Sequence, residues 1–349
     1  MRQFLIVLFV FISFTEAFTQ PKSIKRIGLI NPTSKNLENV LVLVQNGFIK
    51  ADSLQIVGIF HESQKEALEA SKQYVEKHGY HFISFELIHN IIPIDSLFLS
   101  NRNSAEFLRL FRKTDAMIFP GGADIFPGIY GEKTFLTTEL IPIEKNWELS
   151  FLYHLIGGSQ SNSYVPLLEQ RPDYTILGIC LGMQEMNVAS GGSLYQDIPF
   201  QIYKKRTYNE VMQLPKDKLH KNYASRVGYC PEEISVINLH QIKISKNSFL
   251  QFGSTKGSPL VPSIHHQAVK KLGKNFRVSA TSKDGKVIEA FENIKYKNVY
   301  GIQFHLDLSA LYNEDSEIKG SSEDKLDKTG KRFHRDFWVD FSNRLKGQK

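Results

Sequence analysis

The chain has 349 residues, 42% of them hydrophobic, so it is long enough to bury a large core, and its two cysteines exclude a disulfide framework. The formal net charge is +7, but the basic residues are spread along the chain and do not gather on one helix with interleaved aromatic residues. This distribution predicts a solvated basic surface and argues against a nucleic-acid partner.

The first 19 residues have the pattern of an export signal. Arg2 is followed by an apolar run over residues 4–14 and by the small-residue stretch Thr15-Glu16-Ala17. The run is short for a bilayer-spanning helix, although a membrane anchor stays open as an alternative. The sequence therefore predicts an exported protein, in a bacterial periplasm or secreted, with no stable membrane insertion once the signal is removed.

The first half of the chain alternates between short apolar runs and helical patterns. This alternation indicates an α/β fold, with a mostly parallel sheet covered by helices on both faces. Strands are predicted at 23–30, 54–61, 81–87, 114–119 and 174–180, and helices at 37–51, 63–79, 104–113 and 146–156.

The pattern changes after Asp197, where short β-like pieces are separated by loops. We find no repeat and no boundary that would require a second domain, so one domain is predicted over residues 24–345. Its last elements are predicted as a strand in 234–244, a hairpin over 276–292, a strand at 299–305, a charged mobile loop at 313–331 and a helix at 332–346.

Gly178-Ile179-Cys180-Leu181-Gly182 has the spacing of a nucleophile elbow. The glycines allow a sharp turn between the strand and the following helix, and the helix N-terminus favours a thiolate over a thiol. A buried structural cysteine is the alternative that the spacing alone leaves open. A disulfide between Cys180 and Cys230 would remove the thiolate, and we predict that it is absent from the active form.

Two further motifs could supply what a cysteine nucleophile needs. "PGGAD" (residues 120–124) follows a predicted strand, and its N–H groups, with that of Leu181, could stabilise an oxyanion. His305 ends another predicted strand, and Asp307 shares its face two residues later. Each motif alone is more often a turn or a surface residue, but the three together indicate acyl transfer.

In its combination of motifs the chain resembles the class I glutamine amidotransferase-like superfamily, in particular its gamma-glutamyl hydrolases of the gamma-glutamyl-GABA hydrolase type. The similarity runs from about residue 114 to 307 and implies a flavodoxin-like three-layer sandwich with a nucleophile elbow. It is carried by "FPGGADIFPGIYG", "TILGICLGMQ", "NVASGGSLYQDI", "SIHHQAVKKLG", "VSATSKDGKVIEAFE" and "GIQFHLDL".

The resemblance implies a cysteine hydrolase that cleaves gamma-glutamyl amides through a thioester. It makes Cys180 the nucleophile, His305 the general base and Asp307 the third member of the triad. The remaining site residues that it implies are Gly121, Gly122 and Leu181 for the oxyanion, and Gln184, His265, His266 and Gln267 for the substrate.

The predicted partner is a small gamma-glutamyl substrate, and the oligomeric state stays open, with a homodimer among the alternatives. The neighbouring His265 and His266 could by themselves indicate a metal site. No Cys, His or carboxylate spacing typical of metal ligands accompanies them, so the sequence predicts no metal and no cofactor.

The chain departs from the family in two places. His305-Leu306-Asp307 stands where the family has His-Pro-Glu, and the stretch from Asp197 to His265 is longer than in that branch. The altered triplet leaves open a non-catalytic gamma-glutamyl-binding homologue as an alternative to a hydrolase. The superfamily itself leaves open a second alternative, a glutaminase subunit of an amidotransferase. The export signal argues against the second, because such synthases use cytosolic ATP.

Overall fold

The computed structural model describes residues 24–140, 146–227, 236–253, 257–312 and 328–347. The predicted signal (1–19), Cys230 and most of the predicted mobile loop lie outside these residues. The predictions made for them therefore stay predictions.

Twelve strands are present in the described residues, ten of them in one sheet. Their bounds are β1 (Ile24–Ile30), β2 (Ser53–His61), β3 (Ile83–Ile88), β4 (Ala116–Phe119), β5 (Thr175–Ile179), β6 (Ser193–Tyr195), β7 (Asn238–Ile244), β8 (Leu260–Ser263), β9 (Ala268–Lys271), β10 (Phe276–Ser282), β11 (Ile288–Asn293) and β12 (Val299–Ile302). The main sheet has the order β3-β2-β1-β4-β5-β12-β11-β10-β7-β8, while β6 and β9 form a separate antiparallel pair.

The six strands from β3 to β12 in this order are parallel to one another. The four strands from β11 to β8 continue the sheet in antiparallel fashion. The carboxyl ends of β4, β5 and β12 therefore meet at one edge of the sheet, as neighbours.

Helices cover both faces of the sheet. Helices α1, α2 and α9 pack on one face, and α3, α4 and α5 on the other, so the predicted α/β three-layer sandwich is confirmed. Their bounds are α1 (Ser34–Gln45), α2 (Lys65–His78), α3 (Ser104–Lys113), α4 (Trp147–Ile156), α5 (Leu181–Ala189), α6 (Ile198–Gln201), α7 (Tyr208–Met212), α8 (Ala224–Val227) and α9 (Lys328–Lys346).

Local sequence explains where these helices begin, end and pack. The Thr33 side chain accepts a hydrogen bond from the Asn36 N–H and caps α1, and Gly79 ends α2 in the left-handed conformation at φ 67°. Helix α3 buries Phe107, Leu110 and Phe111 at helical spacing, and the burial of these side chains holds the helix against the sheet.

The elements predicted in the first half of the chain and the hairpin over 276–292 are present. The differences concern boundaries and short elements. The strand predicted at 299–305 ends at Ile302, so His305 lies beyond it. Helix α1 ends at Gln45, before Gly47 at φ 67°, and not at residue 51; α9 begins at Lys328, within the predicted loop. The short strands β6, β8 and β9 and the short helices α6 to α8 were not predicted. None of the helices in the described ranges is long and apolar enough to cross a membrane.

Candidate active site

The sheet brings the three predicted motifs to one edge. Cys180 follows β5 directly, and its backbone N–H donates to the Ile302 carbonyl of β12 at 2.8 Å. His305 lies three residues beyond that strand end. The Gly121–Gly122 loop follows β4, on the other side of β5. The parallel pairing thus places the predicted nucleophile, the predicted base and the Gly-Gly loop side by side.

Cys180 has the backbone conformation of a strained elbow. Its φ of 53° and ψ of −105° are costly for a residue with a Cβ, by about 1–3 kcal/mol. A Cβ at Gly178 would lie 2.6 Å from the Gly182 carbonyl oxygen, and one at Gly182 would lie 2.1 Å from the Phe119 carbonyl oxygen. Both glycines are therefore needed for the tight strand-to-helix turn that the sequence predicted.

Cys180 and His305 lie side by side at this turn. Cys180 is a free thiol, 7% exposed, and a Cβ built at Gly121 would lie close to both side chains. Burial lowers the pKa of His305, but the negative charges of Cys180 and Asp307 and the hydrogen bonds to both outweigh burial and raise that pKa well above its usual value. The interactions with Cys180 and Asp307 therefore favour the protonated form of His305.

Asp307 orients the imidazole from the other side. Its Oδ1 lies 3.1 Å from His305 Nδ1, so the imidazole donates to the carboxylate and keeps Nε2 for the cysteine. The absence of the family's proline does not leave this segment loose. The Leu306 carbonyl accepts hydrogen bonds from Trp338 Nε1 at 2.8 Å and Tyr312 Oη at 2.5 Å. Trp338 of helix α9 and Tyr312 thus fix the backbone between His305 and Asp307.

The Gly-Gly loop lies directly against the pair. A Cβ at Gly121 would lie 2.9 Å from His305 Cε1 and 3.5 Å from Cys180 Cβ, and one at Gly122 would lie 2.7 Å from Leu181 Cδ2. The Gly182 N–H donates to the Pro120 carbonyl at 3.2 Å and ties the loop to the elbow. The loop is therefore close enough to present backbone N–H groups to an oxyanion formed at Cys180.

His266 contacts the same loop through Asp124, which was not among the predicted site residues. Its Nε2 lies 3.0 Å from Asp124 Oδ2, in the last position of "PGGAD". The only sequence signal for Asp124 was its place in that motif. His266 and Asp124 thus join the loop after β4 to the segment before β9.

The two glutamines that were predicted to bind the substrate have side-chain amides that are hydrogen-bonded to other residues of the protein. Gln184 Nε2 donates to Gln303 Oε1 at 3.3 Å and lies 3.5 Å from the Gln267 carbonyl, while Gln267 Nε2 donates to Gln196 Oε1 at 3.0 Å. These amides connect α5 with the strands and loops around it. Their predicted role in substrate binding stays a prediction.

His265 differs from the other predicted site residues. Its Nδ1 is hydrogen-bonded to the Gln267 carbonyl at 2.9 Å, and its Nε2 lies 3.8 Å from Glu289 Oε2. Burial lowers the pKa of His265 to about 3, so the imidazole is neutral. The structure places it in a buried group with Glu289, whereas its neighbour in sequence, His266, contacts the loop.

The fold and the site together define an α/β protein with a cysteine elbow at the carboxyl edge of a parallel sheet. A model of the family Peptidase C26 matches residues 55–307, and the chain belongs to that family. The match begins earlier than the motifs quoted from the sequence and takes in most of β2 and all of α2 and β3.

Several curated proteins are similar to this chain. A glutamine amidotransferase-like protein, YvdE of Lactococcus lactis, is 30% identical over 218 residues, which are 62% of this chain and 72% of that protein. The gamma-glutamyl-gamma-aminobutyrate hydrolase PuuD of Escherichia coli is 29% identical over 131 residues, 37% of this chain and 44% of that protein.

Solved structures of low sequence identity also align. A GMP synthase protein of Thermoplasma acidophilum aligns with a TM-score of 0.43 and 14% identity, over 93% of this chain and 94% of that one. The glutaminase domain of Trypanosoma brucei CTPS, with bound acivicin, aligns with a TM-score of 0.41 and 11% identity, over 93% and 95%.

Proposed function

We propose that the chain is an exported cysteine hydrolase that cleaves gamma-glutamyl amide bonds. The observation that carries the proposal is the contact of Cys180, His305 and Asp307 at two adjacent strand ends, with the Gly-Gly loop beside them. Membership of the Peptidase C26 family supports hydrolase or amidotransferase chemistry. The name of the E. coli relative, a gamma-glutamyl-gamma-aminobutyrate hydrolase, supports the gamma-glutamyl class.

In the proposed reaction the Cys180 thiolate attacks the amide carbon and forms a tetrahedral oxyanion. Backbone N–H groups of Leu181 and of the Gly121–Gly122 loop stabilise that charge. The imidazolium of His305 gives its proton to the leaving amine, which leaves a thioester on Cys180. His305, now neutral, takes a proton from water, which attacks the thioester and releases glutamate and the thiolate.

The acid of the triad acts through His305. An Asp307 carboxylate that accepts from Nδ1 holds the imidazole in the tautomer whose Nε2 faces the cysteine, and it stabilises the imidazolium. The hydrogen bonds to the Leu306 carbonyl support a productive position for this shorter acid. They argue against a non-catalytic, merely gamma-glutamyl-binding protein.

A glutaminase subunit is the second candidate, because the relative of L. lactis is named glutamine amidotransferase-like. The two functions differ in the amine that leaves: ammonia from glutamine, or a primary amine from a secondary amide. Export, which rests on residues 1–19, favours the hydrolase, since ammonia released outside the cytosol would not reach a synthase.

The test is hydrolysis of a panel of amides by the full chain. Gamma-glutamyl-GABA, a gamma-glutamyl anilide, glutamine and the matching alpha-glutamyl amides are incubated separately, and free glutamate is quantified by mass spectrometry. We expect glutamate from gamma-glutamyl secondary amides and none from the alpha isomers. Turnover of glutamine alone would support the glutaminase, and no turnover of any amide would support the binding protein.

A further inference from the structure

Four buried ionisable side chains meet on the antiparallel side of the main sheet. His240 lies on β7, His265 follows β8, Glu289 lies on β11, and His220 lies in the segment between α7 and α8. Each is at most 3% exposed. None of the four belongs to the Cys180–His305–Asp307 group. One of them, His265, was predicted to bind the substrate, but its ring nitrogens face the Gln267 carbonyl and Glu289.

The polar atoms of the four side chains point at one another. One nitrogen or oxygen from each lies within 4.8 Å of those from the other three. Glu289 is at the centre: its Oε1 lies 3.0 Å from His220 Nδ1 and 3.9 Å from His240 Nε2, and its Oε2 lies 3.8 Å from His265 Nε2. Ligands of a tetrahedral zinc ion, bonded at roughly 2.0–2.2 Å, stand about 3.3 Å apart, so small side-chain shifts would bring the four into coordination.

Hydrogen bonds do not account for this arrangement. Within the described residues, both carboxylate oxygens of Glu289, both ring nitrogens of His220 and Nε2 of His265 lack a hydrogen-bond partner. The 3.0 Å contact of His220 with Glu289 does not have hydrogen-bond geometry. Buried polar atoms are almost always paired, and five unpaired ones in a single cluster indicate a shared partner.

The chemistry of the donor atoms points to a metal cation as that partner. Three imidazoles and one carboxylate meet in the cluster, each with a nitrogen or oxygen that can donate a lone pair to a metal ion.

The orientation of His265 also suits a metal ligand. Its Nδ1–H is directed to the Gln267 carbonyl at 2.9 Å, which leaves the Nε2 lone pair turned towards Glu289. A backbone carbonyl on the second ring nitrogen is the usual support of a metal-binding histidine. His240 Nε2 lies 2.8 Å from the Ser263 hydroxyl, which would have to rotate away for His240 to bind.

We propose that His220, His240, His265 and Glu289 bind one Zn²⁺ ion. Three imidazole nitrogens and one carboxylate oxygen form a ligand set that zinc accepts and that Ca²⁺ and Mg²⁺, which take oxygen ligands, do not. Because four protein ligands complete a tetrahedron, the ion has a structural role. The proposal replaces the sequence-based prediction that the chain binds no metal.

The ion would tie the segment before α8 to the wall of the active site. The His265 N–H already donates to the His220 carbonyl at 2.9 Å, and the next residue, His266, contacts Asp124 of the Gly-Gly loop. Pro262, on β8, accepts from the His305 N–H at 2.8 Å. Zinc at the cluster would therefore fix two segments that border the Cys180–His305 pair.

The test measures metal directly, without reference to activity. The full chain, without an affinity tag, is purified and analysed for zinc by plasma mass spectrometry, then stripped with a chelator and titrated with Zn²⁺ and with Co²⁺. We expect about one zinc per chain, and tetrahedral Co²⁺ absorption bands that saturate at one equivalent. His220→Gln and Glu289→Gln should weaken Zn²⁺ binding by more than about 100-fold, because each removes a direct ligand.

His334→Gln is the matched control, because His334 is a buried histidine outside the cluster whose Nε2 is hydrogen-bonded to the Leu260 carbonyl. This variant should keep one zinc per chain. Zinc-free wild-type chain that takes up neither metal would overturn the proposal, and so would binding that His220→Gln and Glu289→Gln leave unchanged. Should both variants misfold, the Co²⁺ spectrum of the wild-type chain decides, since the absence of tetrahedral bands excludes the site.

Discussion

Gly121 and His305 are so close that a side chain at the glycine would meet the imidazole: a Cβ built there lies 2.9 Å from His305 Cε1. The contact joins the loop proposed to bind the oxyanion to the residue proposed as the base. A side chain at Gly121 would therefore displace the imidazole or the loop, which makes the glycine a sensitive probe of the site.

Gly121→Ala should lower kcat/KM on a gamma-glutamyl amide by about 100-fold or more, since displacement of the base or of one oxyanion donor has effects of that size. Gly253→Ala is the control, because no atom of the described residues lies within 4 Å of a Cβ built at Gly253. Steady-state kinetics of both variants provide the comparison. Equal activity of Gly121→Ala and wild type would mean that the reaction does not take place beside Gly121 and His305.

Asp307→Asn should lower kcat by roughly 10- to 1,000-fold, or about 1.4–4 kcal/mol, because it removes the charge that stabilises the imidazolium of His305. The loss should be milder than in a serine triad, since a cysteine is already partly ionised. His305→Ala should cost more, because it removes the base itself. A silent Asp307→Asn beside an inactive His305→Ala would mean that Asp307 is not the third member of the triad.

Cys180→Gly should be more stable than Cys180→Ala by about 1 kcal/mol. Alanine keeps a Cβ at φ 53°, whereas glycine adopts this conformation without the steric cost. Urea unfolding of the two variants measures the difference. If alanine is the more stable of the two, the backbone at the elbow is not strained as described.

The pKa of His305 should fall when Cys180 is replaced by alanine, because the charge of the cysteine helps to raise it. NMR titration of the imidazole in both proteins measures this shift. A raised folded-state pKa stabilises the fold fully below the unfolded value, about 6.5, and that stabilisation is lost as pH rises through the folded-state pKa. The free energy of unfolding of the wild type should therefore fall relative to that of Cys180→Ala as pH rises from the unfolded-state pKa of His305 through its folded-state pKa. If the His305 imidazole titrates identically in both proteins, Cys180 does not influence its pKa and the prediction is wrong.

The sequence was sufficient to predict which parts of the candidate site lie at or shortly after strand ends. Cys180, His305 and the Gly-Gly loop each follow a short apolar run, and parallel strands bring such ends to one edge. The hydrogen bonds that hold the backbone beside His305 and Asp307 could not be predicted from the sequence. They run from Trp338 and Tyr312 to the Leu306 carbonyl, and they depend on how α9 packs against this segment.

The histidine cluster escaped sequence analysis for a similar reason. His220, His240, His265 and Glu289 are far apart in the chain and meet only through the order of antiparallel strands, which local pattern does not determine. Strands β6, β8 and β9, of three or four residues each, are also too short to show a period.

The central claim is that Cys180 attacks a gamma-glutamyl carbonyl and carries the glutamyl group as a thioester. Rapid acid quenching of wild type and Cys180→Ala with a gamma-glutamyl amide, followed by peptide mass spectrometry, tests it most directly. We predict a glutamyl adduct on the Cys180 peptide of the wild type, released as glutamate with time. Cys180→Ala should give neither adduct nor glutamate, while remaining folded. Glutamate release by Cys180→Ala at the wild-type rate would contradict the account.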